Sequence, residues 1–218
     1  MSKFNPESAT AEELWNCCLA KYNSKNPVIK MIIRNFYVKI RQIIALLDAG
    51  DRLLEVGCGT GESSRLILKM LDGQELQASE IEEQYITQLK ETDFPVPVRQ
   101  ESVLNLKRQN KEFDCVFMLE VLEHVPDYER ALSEVFRVSR KYVAISVPNE
   151  PLWRILNMCR GKYLQHWGNT PTHFNHWSPK SIRNLISRYG TVIKTYTPFP
   201  WTIVLAQVCA GRDYKLIE

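Results

Sequence analysis

Residues 53–64, LLEVGCGTGESS, constrain this chain more than any other stretch. Leu53, Leu54 and Val56 read as a short apolar strand, and residues 62–70 repeat apolar side chains at helical spacing. Between them Gly57, Gly59 and Gly61 make a loop without Cβ atoms, where a ligand can approach the backbone. The spacing G-x-G-x-G is not the dinucleotide fingerprint G-x-G-x-x-G and lacks the Lys-Ser/Thr of a P-loop, which argues against NAD and ATP. A tight turn with no ligand is the competing reading. The next acidic residue weighs against it. Residues 74–79 read as a second strand, and Glu80 closes it at the roughly 20-residue spacing at which a carboxylate accepts both hydroxyls of a ribose.

Strands and helices alternate from there. A helix is expected over 83–90, a strand near 97–101, a strand Phe113–Leu119, a helix Tyr128–Val138, a strand 142–147, a helix 179–189 and closing strands 191–197 and 202–208. Such alternation gives an α/β fold: a doubly wound, mostly parallel seven-stranded sheet covered on both faces. Only the Pro-rich TPFP turn separates the last two strands, so they close the sheet as an antiparallel hairpin. Upstream, 27–47 is a long amphipathic helix with Lys30, Arg34, Lys39 and Arg41 among dense apolar residues, stopped at Asp48-Ala49-Gly50. It reads as a sheet-packing helix in preference to a membrane-surface one. A further helix over 11–22, with Leu14, Trp15 and Cys18 on one face, is either a lid or an outer packing helix. The division expected is 1–50 for these N-terminal helices and 51–218 for the main domain, with an insertion at 148–177.

A chain of 218 residues supports one domain. A net charge of +3 is too small for the broad basic face that duplex nucleic acid needs, so a nucleic-acid partner is not expected. No run reaches the ~18 apolar residues of a membrane span, and the expected location is cytoplasmic. The six cysteines, at 17, 18, 58, 115, 159 and 209, include no C-x-x-C pair and read as free thiols. Cys58 reads as a small loop residue rather than a nucleophile.

The motifs LLEVGCGTG, Glu80, FDCVFMLEVLEHVPD and YVAISVPN, spread over 53–147, together resemble those of the class I S-adenosylmethionine-dependent methyltransferases, in particular the small-molecule branch that includes the ubiquinone-biosynthesis enzymes. The antiparallel ending matches that fold. The resemblance implies that S-adenosylmethionine is the cofactor, with Gly57, Gly59 and Gly61 at its methionine end, Glu80 on the ribose hydroxyls and Ile81 packed on the adenine. It implies that Glu55 holds the loop or the methionine amino group and that Leu119 is among the cofactor-binding residues. Where relatives often have Asp after the third strand, this chain has Ser102 and then Val103, so adenine selectivity shifts toward the Val103 backbone.

A second constellation is E-x-x-E-H, formed by Glu120, Glu123 and His124. A helix starting there would put all three on one face, beside the cofactor's methyl group. One reading is that Glu123 and His124 cap the turn and line the methionine pocket. Another adds His173: the pattern resembles the divalent-metal site of catechol-type ubiquinone-biosynthesis enzymes and of small-RNA 3′-end methyltransferases. Glu120, Glu123, His124 and His173 would then hold Mg, Mn or Zn, which would lower the pKa of an acceptor oxygen. His124 and His173 are the candidate catalytic residues; without a metal His124 is the candidate general base, with His166 and His176 as alternatives.

Residues 148–177, rich in Trp, His, Asn and Gly, lie at the carboxyl edge of the sheet, where a substrate cover belongs. His176 and Trp177, just before Ser178-Pro179, read as packing at a helix start. The expected activity is methyl transfer from S-adenosylmethionine to a small-molecule acceptor, on oxygen. An RNA ribose O-methyltransferase and a non-catalytic binding module on the same fold are the rivals. Acceptor identity and oligomeric state are not encoded in any of these motifs.

Overall fold

A computed structural model describes residues 22–209. The expected helix over 11–22 lies outside the described residues except for its last member, Tyr22. The first helix described, α1 (Pro27–Ile44), starts where the Asn26 side chain accepts the Val28 N–H at 2.9 Å and Pro27 fills a position with no N–H to satisfy. It buries Phe36, Tyr37, Ile40, Ile43 and Ile44, so its apolar face is spent on the sheet.

The remaining elements follow the expected alternation: β1 (Arg52–Val56), α2 (Glu62–Leu68), β2 (Glu75–Glu80), α3 (Glu83–Glu91), β3 (Val98–Gln100), β4 (Phe113–Leu119), α4 (Tyr128–Val138), β5 (Ser139–Pro148), α5 (Leu152–Cys159), α6 (Pro179–Ile186), β6 (Gly190–Tyr196) and β7 (Trp201–Val208). They build a seven-stranded sheet in the order β3-β2-β1-β4-β5-β7-β6. The five strands from β3 to β5 are parallel, and β7 runs antiparallel to both β5 and β6. The order reverses between β1 and β4. Ligands bind beyond the carboxyl ends of the strands at such a switch point.

The strand pattern divides the core in two. Leu54, Val116, Met118, Val143, Ile145 and Val204 face one side and pack under α4 and α6 with Leu132, Val135, Phe136 and Ile182. Leu53, Cys115, Phe117, Ala144, Ile203 and Leu205 face the other side, under α1, α2 and α3 with Ile40, Ile67 and Leu89. Asp127 and Ser178 cap α4 and α6 through Arg130 N–H and Ser181 N–H. Residues 148–177 contain more regular structure than the sequence suggests: α5 and a 3-10 turn, Leu164–His166.

Candidate functional site

The glycine loop is the first part of the site, and its three glycines all adopt left-handed backbone, φ 72°, 52° and 75° at Gly57, Gly59 and Gly61. Their surroundings differ. A Cβ on Gly57 would meet Val121 at 2.6 Å, and one on Gly61 would meet Phe94 at 2.5 Å, whereas one on Gly59 would enter open space. Gly57 and Gly61 therefore serve close packing, and Gly59 exposes backbone to a ligand. Glu80, 6% exposed, ties this loop to the second strand: Oε2 accepts the Gly59 N–H at 2.7 Å, and Oε1 accepts those of Ile81 at 2.8 Å and Glu82 at 3.1 Å. Oε1 is filled by its two N–H donors, while Oε2 keeps one lone-pair site for a hydroxyl donor.

Beside it opens a cleft of about 690 Å³ whose wall includes Gly59, Glu80, Ile81, Ser102, Val103 and His124. Ile81 is largely exposed and Val103 half-buried, giving the cleft two apolar surfaces able to flank a flat ring. Ser102 Oγ accepts the Leu104 N–H at 3.2 Å, which fixes the turn after β3. The acid at the end of that strand, Glu101, is engaged elsewhere: its carboxylate pairs with Arg108 at 2.7 Å and accepts the Lys107 N–H. The cleft therefore offers a flat-ring surface beside a carboxylate oxygen able to accept from a hydroxyl.

Glu55 lies beneath the loop, 1% exposed, and takes the Ser64 hydroxyl at the start of α2. Burial pushes its carboxyl up to about 7, against the opposing hydrogen bonds of Ser63 and Ser64 and with help from nearby Glu80. Cys58 is buried and its thiol is pushed far above the usual range by desolvation, with Glu55 and Glu80 adding to it, so it carries no nucleophile. A smaller chamber of about 130 Å³ adjoins the loop on the α1 side, lined by Tyr22, Ile33, Phe36, Tyr37, Leu119 and Trp201 along with the loop itself. Glu120 borders both cavities.

The helix expected at Glu120 does not begin there. Glu120 adopts φ 59°, outside helical geometry, and a 3-10 turn follows at Leu122–His124. Ser146 Oγ donates to Glu120 Oε1 at 2.7 Å and receives the Glu120 N–H at 3.0 Å. Glu123, His124 and His173 do converge: one ligand atom from each lies within 4.8 Å of the others. Glu120 is not part of that cluster. Glu123 is 1% and His173 8% exposed, while His124 faces solvent and the cleft. The His124 Nδ1 lies 2.9 Å from Thr172 O, so Nδ1 carries a proton that the carbonyl accepts. Burial, with His124 and His176 nearby, lowers His173 to about 3, which keeps its imidazole neutral. A buried carboxylate and two imidazoles able to coordinate form a donor set that suits a divalent ion.

His166 lies on an exposed turn outside both cavities, and His176 rests against Asn169 Oδ1 at 2.5 Å. Trp177 packs edge-on against Tyr128, as expected for a helix start. Sequence reasoning did not single out Tyr22, Tyr37, Thr172, Phe174 or Trp201, all cavity residues. No local motif marks them, because they come from separate elements that only the folded sheet brings together.

The architecture defines the class: it is that of the class I S-adenosylmethionine-dependent methyltransferases. Residues 32–195 match the family model described as a methyltransferase domain, and the chain belongs to that family. Among solved structures it is similar in fold to a protein of Pyrococcus horikoshii, with TM-score 0.68 and 15% identity over 90% of this chain and 99% of that one. It is also similar to the magnesium protoporphyrin IX methyltransferase of Synechocystis with bound S-adenosylhomocysteine, with TM-score 0.63 and 16% identity over 91% of this chain and 98% of the other. Among curated relatives, the ubiquinone biosynthesis O-methyltransferase of Xanthomonas oryzae is 34% identical over 41% of this chain and 39% of its own length. The 27-O-demethylrifamycin SV methyltransferase of Amycolatopsis mediterranei is 31% identical over 43% of this chain and 36% of its own. These matches span well under half of those relatives. No helix among the described residues is long and apolar enough to cross a membrane.

Proposed function

We propose that this protein transfers a methyl group from S-adenosylmethionine to an oxygen of a small-molecule acceptor, with a divalent ion, Mg, Mn or Zn, held by Glu123, His124 and His173. The observation that carries this reading is that His124, anchoring a compact carboxylate–imidazole cluster, lines the same cleft as Glu80 and Gly59. The O-methyltransferases among the curated relatives support an oxygen acceptor. Bound S-adenosylmethionine would supply a sulfonium-bound methyl that the acceptor oxygen attacks in line, the O–CH3 bond forming as the S–CH3 bond breaks and S-adenosylhomocysteine leaves, with the hydroxyl proton passing to a base or to water.

The chain's own residues then have defined tasks. Glu80, held in place by the Gly59 N–H, fixes the ribose end, Ile81 and Val103 flank the adenine, with Ser102 shaping the turn, and Glu55, Gly57, Gly59, Gly61 and Leu119 shape the methionine end. Holding donor and acceptor in near-attack geometry accounts for much of the acceleration. Thr172 O accepts from the His124 Nδ1–H and so orients the ring, Nε2 being the atom assigned here as ligand or base, and neutral His173 lies beside it. The 148–177 segment, which contributes His173, covers the acceptor and excludes water.

The test is transfer of labelled methyl from S-adenosylmethionine to a panel of hydroxylated small molecules, with and without chelator. Transfer to oxygen, lost on chelation and restored by Mg or Mn, is the expected result. Full activity in metal-free protein would remove the ion from the account, and methylation on nitrogen or carbon would remove the oxygen acceptor.

A further inference from the structure

Helix α1 spends one face on the sheet, and its opposite face is not the evenly polar surface that a helix packed in this way ordinarily shows to water. Three outward side chains are aliphatic and largely exposed: Val28 at 55%, Met31 at 56% and Val38 at 41%. With Asn35 and Gln42, also exposed, they form one stripe within an arc of about 80° at 3.6 residues per turn. The buried Phe36, Tyr37, Ile40, Ile43 and Ile44 point the other way.

Cations border the stripe on both sides. Lys30, Arg34 and Arg41, all exposed, fall within about 40° of one another along one border. On the other, Lys39 Nζ lies 5.8 Å from the centre of the Tyr196 ring, and Lys194 Nζ of β6 lies 5.1 Å from the same centre. Residues 27–47 contain no Asp or Glu, and none of these five cations makes an ion pair with a described acid. Elsewhere in the fold Arg108, Arg140 and Lys141 each hold a carboxylate. The α1 face carries charge with no countercharge of its own.

The combination selects the partner. Cations alone would suit any polyanion. Aliphatic side chains between them suit a bilayer interface, where Lys and Arg heads meet anionic headgroups while Val and Met enter the acyl boundary. A nucleic acid would find no ring to stack on here, because the aromatic residues of α1, Phe36 and Tyr37, are turned into the core. Packing on the sheet and lying on a membrane use opposite faces of this helix and do not compete.

We propose that the outer face of α1 docks this protein on an anionic lipid bilayer. Ile33, Phe36 and Tyr37 of the same helix line the chamber beside the glycine loop, so docking holds the candidate site close to the bilayer surface. The proposal goes beyond the methyl-transfer reading and does not depend on it.

The test is flotation of the full chain with vesicles of phosphatidylcholine alone, or of two parts phosphatidylcholine to one of phosphatidylglycerol, at physiological salt. Binding to the anionic vesicles, at least tenfold tighter than to the neutral ones and weakened by added salt, is the expected result. A cation near an anionic surface is worth about fivefold in affinity, so Lys30→Gln with Arg34→Gln and Arg41→Gln should lower binding about a hundredfold. Met31→Ser with Val38→Ser leaves the charge unchanged and should still lower it about tenfold, because the bilayer takes up apolar area. All five side chains are exposed, and unchanged thermal melting verifies that both variants are folded. No binding to anionic vesicles at millimolar lipid, equal binding to neutral ones, or binding that either variant retains would overturn the assignment. Tighter binding to a single-stranded RNA oligonucleotide than to the vesicles would overturn it in favour of a nucleic-acid partner.

Discussion

The Glu80 carboxylate holds the Gly59 N–H at 2.7 Å, so the end of the second strand and the tip of the glycine loop form one mechanical unit. The same carboxylate closes its own turn through the Ile81 and Glu82 N–H groups. Glu80→Gln replaces one acceptor oxygen by an amide donor facing backbone N–H groups. We expect a loss of about 2 kcal/mol of stability, the scale of a charge-assisted hydrogen bond. S-adenosylhomocysteine should bind at least tenfold more weakly; denaturation and calorimetric titration measure the two effects.

Gly59 and Gly61 share left-handed backbone but should respond differently to alanine. Gly59→Ala carries only the backbone strain of about 1–2 kcal/mol, since its methyl enters open space. Gly61→Ala adds displacement of Leu89 and Phe94, which a Cβ would approach at 2.7 and 2.5 Å. Thermal melting should therefore fall further for Gly61→Ala. Ligand titration should show Gly59→Ala losing S-adenosylhomocysteine affinity while still folded, because its methyl projects into the open space the proposed cofactor site requires.

Glu55 supplies a pH dependence with a definite sign. Its folded value, raised from 4.5 to about 7 by burial, means that folding favours the protonated acid. Its contribution is fully present below pH 4.5 and is lost as pH rises through 7, by up to about 3 kcal/mol. Stability of Glu55→Gln, measured in urea at pH 5 and pH 8, should change less between those values than stability of the wild type. An equal change in both would remove Glu55 as the cause.

The Glu101–Arg108 pair beneath the cleft is almost wholly buried, with side chains 0% and 2% exposed and 2.7 Å apart. Arg108 also donates to Gln77 Oε1 at 2.8 Å. Arg108→Ala strands a buried carboxylate and should cost about 3 kcal/mol or more. A double change, Glu101→Gln with Arg108→Ala, should be milder than the single one, and urea denaturation of the set measures the coupling.

The glycine loop, Glu80 and the strand–helix alternation were legible because each is a local pattern: spacing, period and turn chemistry lie within a few residues. Strand ends shifted by one to three residues where pairing partners set them, as in β5, expected over 142–147 but extending over Ser139–Pro148 against β4 and β7. The reading of Glu120 failed for a different reason. Spacing of three and four implies a shared face only inside a helix, and Glu120 instead takes a left-handed turn held by Ser146, a residue on the next strand. Trp201 carried no signal because the chamber it lines is assembled from α1, the loop and the hairpin, which are distant in sequence. The α5 helix was obscured because residues 152–159 are short and apolar on several sides, flanked by prolines and glycines that suggest a loop.

Calorimetric titration with S-adenosylhomocysteine tests the central claim most directly. The account predicts one site with micromolar or tighter affinity in wild-type protein, weakened at least tenfold by Glu80→Gln. Absence of binding to folded wild-type protein at high micromolar concentration, or binding that Glu80→Gln leaves unchanged, would contradict it.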